Sequence, residues 1–184
     1  MRAETEELTA LITDVIELAR GDEPLQGVDD VQLDDVVAEA VARARRRRPR
    51  TAFAVELEPT VVEGLSERLG RAVDNLLDNA AKHAPEGTVV DVVLRGGELT
   101  VRDRGPGIPA AERPHVFDRF YRGTSARGRP GSGLGLAIVR QVAETHGGSI
   151  TVEEAPGGGA LFRLRLAAGA VTPPSRPAVP PMVG

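Results

Sequence analysis

The 184-residue chain contains no cysteine and no tryptophan, and only one of its 23 basic residues, Lys82, is a lysine. Without Cys there are no disulfides and no thiolate metal sites, a usage that fits a reducing compartment. Four Phe and one Tyr make up all its aromatics. No apolar run approaches the ~20 residues a membrane helix needs, and Met1 is not followed by a signal-peptide pattern. Three scattered histidines, His83, His115 and His146, argue against a histidine metal cluster. The net charge of −4 argues against non-specific nucleic-acid binding, despite the run Arg45-Arg46-Arg47-Arg48. That run reads as the solvated end of a helix, where cations suit the C-terminal dipole. What remains is an ordinary globular composition, 41% hydrophobic and 27% charged, of a length that suits one domain with or without an extension.

Apolar periodicity organises the chain. Met1 to Arg20 reads as a helix, with Leu8, Leu11, Ile12, Val15, Leu18 and Ala19 forming one stripe that needs a partner, and Gly21-Asp22-Glu23-Pro24 ending it. Further helices are predicted over Leu33 to Arg48, Ser66 to Ala84 and Leu134 to Thr145. Thr51 to Leu57 reads as a strand, and Thr88 to Leu94 with Glu98 to Arg102 as a hairpin around Gly96-Gly97. Ser149 to Glu153 and Ala160 to Leu166 form a closing pair of strands, while Arg104 to Gly131 is a long Gly/Pro/Arg-rich loop. Ala167 to Gly184 is Ala/Pro-rich, lacks periodicity and reads as disordered. The alternation predicts an α/β fold: a two-layer sandwich with a mixed sheet, three helices on one face, and one helix preceding it.

Three elements carry chemistry. On the helix over Ser66 to Ala84, residues placed 100° apart put Leu69, Val73, Leu76, Leu77, Ala80 and Ala84 on one face and Arg71, Asn75, Asp78, Asn79 and Lys82 on the other. Asn is a poor helix former because its side chain competes for backbone hydrogen bonds, so two Asn at i, i+4 in mid-helix need a reason. Their amide oxygens can ligate Mg²⁺ beside a polyphosphate; a plain solvated face fits the pattern as well. Second, Asp103-Arg104-Gly105-Pro106-Gly107 follows directly on a strand. It is either a tight turn or a carboxylate placed to accept from an exocyclic amine, with backbone free to approach a flat base. Third, Gly131-Ser132-Gly133-Leu134-Gly135-Leu136 opens a helix. It is a helix cap, or a set of N–H groups offered to an anion at a helix N-terminus. No Gly-Lys-Ser/Thr follows, so it is not a Walker loop, and it stands too late in the chain for a Rossmann turn.

The order of these elements resembles sensor histidine kinases. Asn75 to Lys82 resembles their N box, Asp103 to Gly107 and Gly131 to Leu136 resemble the two glycine boxes, and Val116-Phe117-Asp118-Arg119-Phe120-Tyr121-Arg122 looks like the F box of the ATP lid. His146-Gly147-Gly148 is typical of the family, and the likeness covers about Val28 to Leu166. Glu63-Gly64-Leu65 departs from it, standing where the family has Gly-Asp, and so loses a helix cap.

The resemblance implies a Bergerat ATP-binding sandwich, shared with gyrase, MutL-type and Hsp90-type ATPases, and ATP with Mg²⁺ as ligands. It implies Asn79 as the Mg²⁺ ligand with Asn75 assisting, Lys82 on phosphate, and Asp103 on the adenine amine. His83 either stacks on adenine or is a surface histidine. Gly105, Gly107, Ile108, Tyr121, Gly131, Ser132, Gly133, Leu134, Gly135 and Leu136 complete the ATP contacts. Arg122 is the lid arginine for the γ-phosphate, with Arg127 and Arg129 in reserve; Asn79, Lys82 and Arg122 are the catalytic set. Phe117 and Phe120 read as apolar anchors holding the lid against the domain or its partner. The family's phosphoacceptor motif, His then an acidic residue then Arg-x-Pro, does not occur. Residues 1–22 resemble the second helix of the dimerisation and phosphoacceptor hairpin. The implied partners are a His-bearing hairpin domain and a response regulator, with no nucleic acid, a cytoplasmic location, and a monomer or weak dimer. An anti-sigma-type serine kinase shares the same ATP site and is the alternative; the F box and the leading helix count against it.

Overall fold

A computed structural model describes residues 11–16, 18–19, 27–123 and 131–167. The apolar spacing of the sequence becomes helices α1 (Leu33–Arg47), α2 (Ser66–His83) and α3 (Gly135–Thr145). Helix α1 starts with Asp34 and Asp35 and ends with Arg45, Arg46 and Arg47, both charges complementing the dipole. Helix α2 buries Leu69, Val73, Leu76, Leu77 and Ala80, the face expected from its periodicity, and packs between α1 and α3.

The strands are β1 (Asp29–Gln32), β2 (Ala52–Leu57), β3 (Val61–Gly64), β4 (Val89–Arg95), β5 (Glu98–Arg102), β6 (Ser149–Glu154) and β7 (Ala160–Arg165). Five of them form a mixed sheet in the order β2-β4-β5-β7-β6, in which β2 and β4 run parallel and every other pair antiparallel. Burial alternates along β4, β5 and β7, and Val90, Val92, Leu94, Val101 and Phe162 join the helices in one core. This is the expected α/β sandwich.

The sequence reading missed a second, two-stranded sheet, in which β1 pairs antiparallel with β3. Each of these strands has four residues, and each sends one large side chain into the core, Val31 and Val62. So short an alternation is invisible to periodicity. Two hydrogen bonds hold the small sheet to α1: Leu33 N–H donates to Thr60 O at 2.8 Å, and the Asp34 side chain accepts at Oδ1 from Thr60 N–H at 3.1 Å.

The leading segment is helical at residues 11–16, 18 and 19. Its expected single stripe is split. Leu11 and Leu18 face the domain, Leu18 being buried, while Ile12, Val15 and Ile16 are 59%, 48% and 47% exposed. The inward seam therefore runs Leu11, Asp14, Leu18, at spacings of three and four, and Gln141 Nε2 donates to Leu18 O at 3.0 Å. The expected start of this helix, its Gly21 to Pro24 stop and nearly all of the tail lie outside the described residues.

His146 closes the fold behind α2. Its Nδ1 donates to Val142 O at 2.8 Å, and its Nε2 accepts from Leu65 N–H at 3.1 Å. Leu65 is the N-cap of α2 and offers no side-chain cap; the imidazole satisfies the backbone N–H of the N-cap residue itself and so ties the start of α2 to the end of α3. A β-carbon at Gly64 would lie 2.5 Å from His146 Cδ2, so the ring fits only against glycine. Burial lowers the His146 pKa from its ordinary 6.5; nearby Arg68 adds to this, and the bond to Val142 opposes it. The unfolded chain therefore binds the proton more readily than the folded one. The stabilising contribution of neutral His146 is complete above about pH 6.5 and is lost as pH falls toward the lower folded-state value. Thermal unfolding is expected to show a midpoint that drops between pH 7.5 and 5.5, and His146→Gln is expected to flatten that slope; an unchanged slope removes His146 as its cause.

Candidate functional site

One cleft of about 1470 Å³ opens over the polar face of α2, between the loop after β5, the 104–123 segment and the start of α3. Helix α2 contributes Asn75, Asn79, Lys82 and His83 to its wall, because its opposite face is committed to the core. Asn75 Nδ2 is buried and has no hydrogen-bond partner among the described residues. The other side of that amide lies against Gly135, where a β-carbon would come within 3.1 Å of Oδ1. Buried polar groups are normally paired, so an orphaned amide facing a helix start has capacity for a ligand.

Asp103 is 2% exposed at the end of β5. Its Oδ1 accepts from Gly105 N–H at 2.7 Å and Ala160 N–H at 3.3 Å, and among the described residues no hydrogen bond takes Oδ2. The carboxylate is thus fixed in orientation by backbone while one oxygen stays available. Ile108 and Leu136 line the cleft and pack on the core beneath, giving its walls an apolar part. Gly107 also lines it, whereas Gly105 sits behind, packed so closely on the His83 carbonyl that a β-carbon would be 2.5 Å from it.

The second glycine loop brings Gly131, Ser132, Gly133 and Gly135 to the cleft. Leu134 is fully buried and holds the loop down from below. Gly131 comes so close to Lys82 that a β-carbon there would lie 2.6 Å from Nζ, which brings the ammonium of α2 to the loop. Gly133 has φ +72°, and a β-carbon would lie 2.9 Å from Phe120 C and Tyr121 O. Its carbonyl accepts from Phe120 N–H at 3.0 Å, so the loop clamps the end of the aromatic segment.

That segment divides its aromatics. Phe117 packs edge-on against Phe162 with ring centroids 6.3 Å apart, as an anchor should. Phe120 is 65% exposed at φ +62°, the one non-glycine residue with positive φ among those described, so it does not hold the segment against this domain. Tyr121 and Arg122 both line the cleft. Arg127 and Arg129 lie outside the described residues.

Sequence reasoning missed the charged wall beside the N box. Arg43 and Arg47 of α1 line the cleft and pair with Asp74 at 3.2 and 3.0 Å, and Arg47 Nη1 also reaches Asp78 at 3.3 Å. Burial raises the Asp78 pKa, with Arg47 and Arg48 pulling it down and Asp74 adding to the rise. The signal existed: Arg at i, i+4 on one helix faces Asp at i, i+4 on the next.

Residues 64–170 match the family described as histidine kinase-, DNA gyrase B-, and HSP90-like ATPase. The signal transduction histidine-protein kinase/phosphatase MprB of Mycolicibacterium vanbaalenii is 48% identical over 162 residues, 85% of this chain and 34% of that protein. The chain thus spans about a third of the length of the curated relatives it matches. Among solved structures, a mycobacterial sensor histidine kinase MprB superposes with a TM-score of 0.72 at 45% identity, covering 76% of this chain and 98% of that one. The ATP-binding domain of PrrB from Mycobacterium tuberculosis gives 0.65 at 32% identity, covering 79% of this chain and all of that one. Family match, sequence relatives and fold agree with the order of boxes around the cleft: the chain belongs to the histidine kinase-, gyrase B- and HSP90-like ATPases, in the branch formed by the ATP-binding domains of sensor histidine kinases.

Proposed function

We propose that this chain binds ATP with Mg²⁺ and presents the γ-phosphoryl group to a histidine on a separate phosphoacceptor helix, as the catalytic part of a two-component kinase. The observation that carries this reading is the convergence of Asn75, Asn79 and Lys82, the braced Asp103 and the second glycine loop on one cleft. The relatives are named histidine kinases, which sets the serine-kinase alternative aside.

Asp103 Oδ2 accepts from the adenine amine, with Ile108 and Leu136 flanking the base and His83 at its edge. The donor set also fits Mg²⁺. Among the described residues no group of three or more His, Asp or Glu gathers to hold a metal, so a cation here shares its ligands with phosphate oxygens. Asn79 supplies an amide oxygen, and the unpaired amide of Asn75 assists at the phosphate end. Bound Mg²⁺ neutralises phosphate charge and polarises the γ-phosphorus. Lys82, the Gly131 to Gly135 amides and Arg122 place positive charge around the triphosphate, and transfer needs positioning and charge neutralisation more than covalent help. The bond from Pγ to the β,γ-bridging oxygen breaks, ADP leaves, and a P–N bond forms to the acceptor imidazole.

None of the chain's own histidines suits the acceptor role: His146 is committed at both nitrogens, His83 lines the cleft and His115 pairs with Asp118. The acceptor hairpin and a response regulator are therefore the partners. No described helix is long and apolar enough to cross a membrane.

Calorimetry is the first test. Wild type is expected to bind ATP and to reject GTP, whose carbonyl in place of the amine would face Asp103; equal affinity for both overturns the Asp103 assignment. Asp103→Asn is expected to weaken ATP by ~10–100-fold, the scale of one charged hydrogen bond, while the unfolding midpoint moves little. Asn79→Ala is expected to abolish Mg²⁺-dependent affinity, and unchanged binding would sink its metal role.

A further inference from the structure

The contact between the leading segment and the second glycine loop plays no part in the function just described. Asp14 lines the phosphate end of the cleft with its side chain 15% exposed. Its Oδ1 lies 3.0 Å from Arg71 Nη2, and its Oδ2 accepts from Ser132 Oγ at 3.2 Å. Ser132 Oγ in turn accepts from Leu134 N–H at 3.2 Å, which commits the hydroxyl proton to Asp14. Arg71 stands on the cleft face of α2 one turn before Asn75, the polar face that continues to Asn79 and Lys82.

We propose that Arg71 and Ser132 form an anion site for a phosphoryl group, and that Asp14 occupies this site when the leading segment is docked. A guanidinium offers Nε and Nη2 along one edge as a fork. Asp14 meets only Nη2, and Nε is buried with no hydrogen-bond partner among the described residues. The carboxylate has already spent its second oxygen on Ser132. A phosphoryl group brings three acceptor oxygens and up to two negative charges, enough for Nε, Nη2 and the Ser132 hydroxyl together. Asp14 is thus a partial substitute for the ligand that the donors fit.

Which phosphoryl group arrives rests on the ATP reading: Arg71 lies one helical turn before Asn75, on the side away from Asn79, Lys82 and Asp103, so the terminal phosphoryl of a triphosphate, which extends further along α2 than that of a diphosphate, is the one assigned to it. Occupation by phosphate evicts Asp14, and by reciprocity a docked Asp14 opposes the triphosphate. Leu18 and Gln141 continue to hold the segment once Asp14 is displaced, so the exchange loosens the segment locally.

The test titrates the full chain with Mg²⁺ plus ADP and with Mg²⁺ plus a non-hydrolysable ATP analogue. Asp14→Asn is expected to tighten the triphosphate about 5-fold or more and to leave ADP within about twofold. Arg71→Gln and Ser132→Ala are expected to weaken the triphosphate selectively. Amide exchange at residues 11–16, read with inorganic phosphate and no nucleotide, gives a second and independent measure. Phosphate is expected to speed exchange there in wild type and to have no effect in Arg71→Gln. A triphosphate-to-diphosphate ratio equal in wild type and Asp14→Asn, together with phosphate-insensitive exchange, overturns the proposal while leaving the ATP reading intact. Phosphate-sensitive exchange in a chain that binds no nucleotide supports the anion site and removes the ATP reading.

Discussion

Helix α2 has to be buried on one side and bare on the other. Leu69, Val73, Leu76, Leu77 and Ala80 are at most 1% exposed and lock the helix between α1, α3 and the sheet. Each large apolar side chain so buried contributes roughly 1.5–3 kcal/mol relative to exposure. That packing offsets what the opposite face gives up: two mid-helix asparagines, one of them with a buried amide nitrogen that has no partner among the described residues, and an aspartate whose ionisation burial disfavours. The functional groups are held by a helix that cannot rotate without dismantling the core, so Asn75, Asn79 and Lys82 keep their relative positions without help from a ligand.

The α1 side of the cleft pairs its own charges. Arg43 and Arg47 meet Asp74 and Asp78 along the α1 side of α2, so the carboxylates of that helix that line the cleft beside Asn79 and Lys82 are paired with cations of its neighbour. At the far end, two backbone amides hold Asp103 by one oxygen. That end is therefore acidic and rigid. At the other end the second glycine loop answers to neighbours through Lys82, Ser132 and the clamp on Phe120.

Much of this was legible in the sequence, because α2 writes its two faces in a plain 3.6-residue rhythm and the glycine boxes fall at strand and helix ends. The hairpin around Gly96-Gly97 and the closing pair of strands, β6 and β7, emerged for the same reason. Strands β1 and β3 did not, since a four-residue strand with one core valine carries no alternation to read. The stripe on the leading segment was visible but not its partition: Leu11 and Leu18 face inward while Ile12 and Val15 face out, and only the position of α3 decides that. His146 shows the same limit. Its pairing with Leu65 spans 81 residues, and no local pattern announces that a histidine after one helix binds the backbone at the start of another. Phe120 could be recognised as part of an aromatic box, but its outward display depends on the backbone turn that Gly133 clamps.

The central claim is that this chain holds and presents a γ-phosphoryl group for histidine. The most direct measurement incubates the full chain with γ-labelled ATP and Mg²⁺, with and without a separate helical hairpin bearing an acceptor histidine. The account predicts label on the hairpin alone, lost in acid and stable in alkali as a phosphoramidate is, and absent with Asn79→Ala. Acid-stable label on a hydroxyl side chain, or no transfer to the hairpin from a chain that binds ATP, would contradict it.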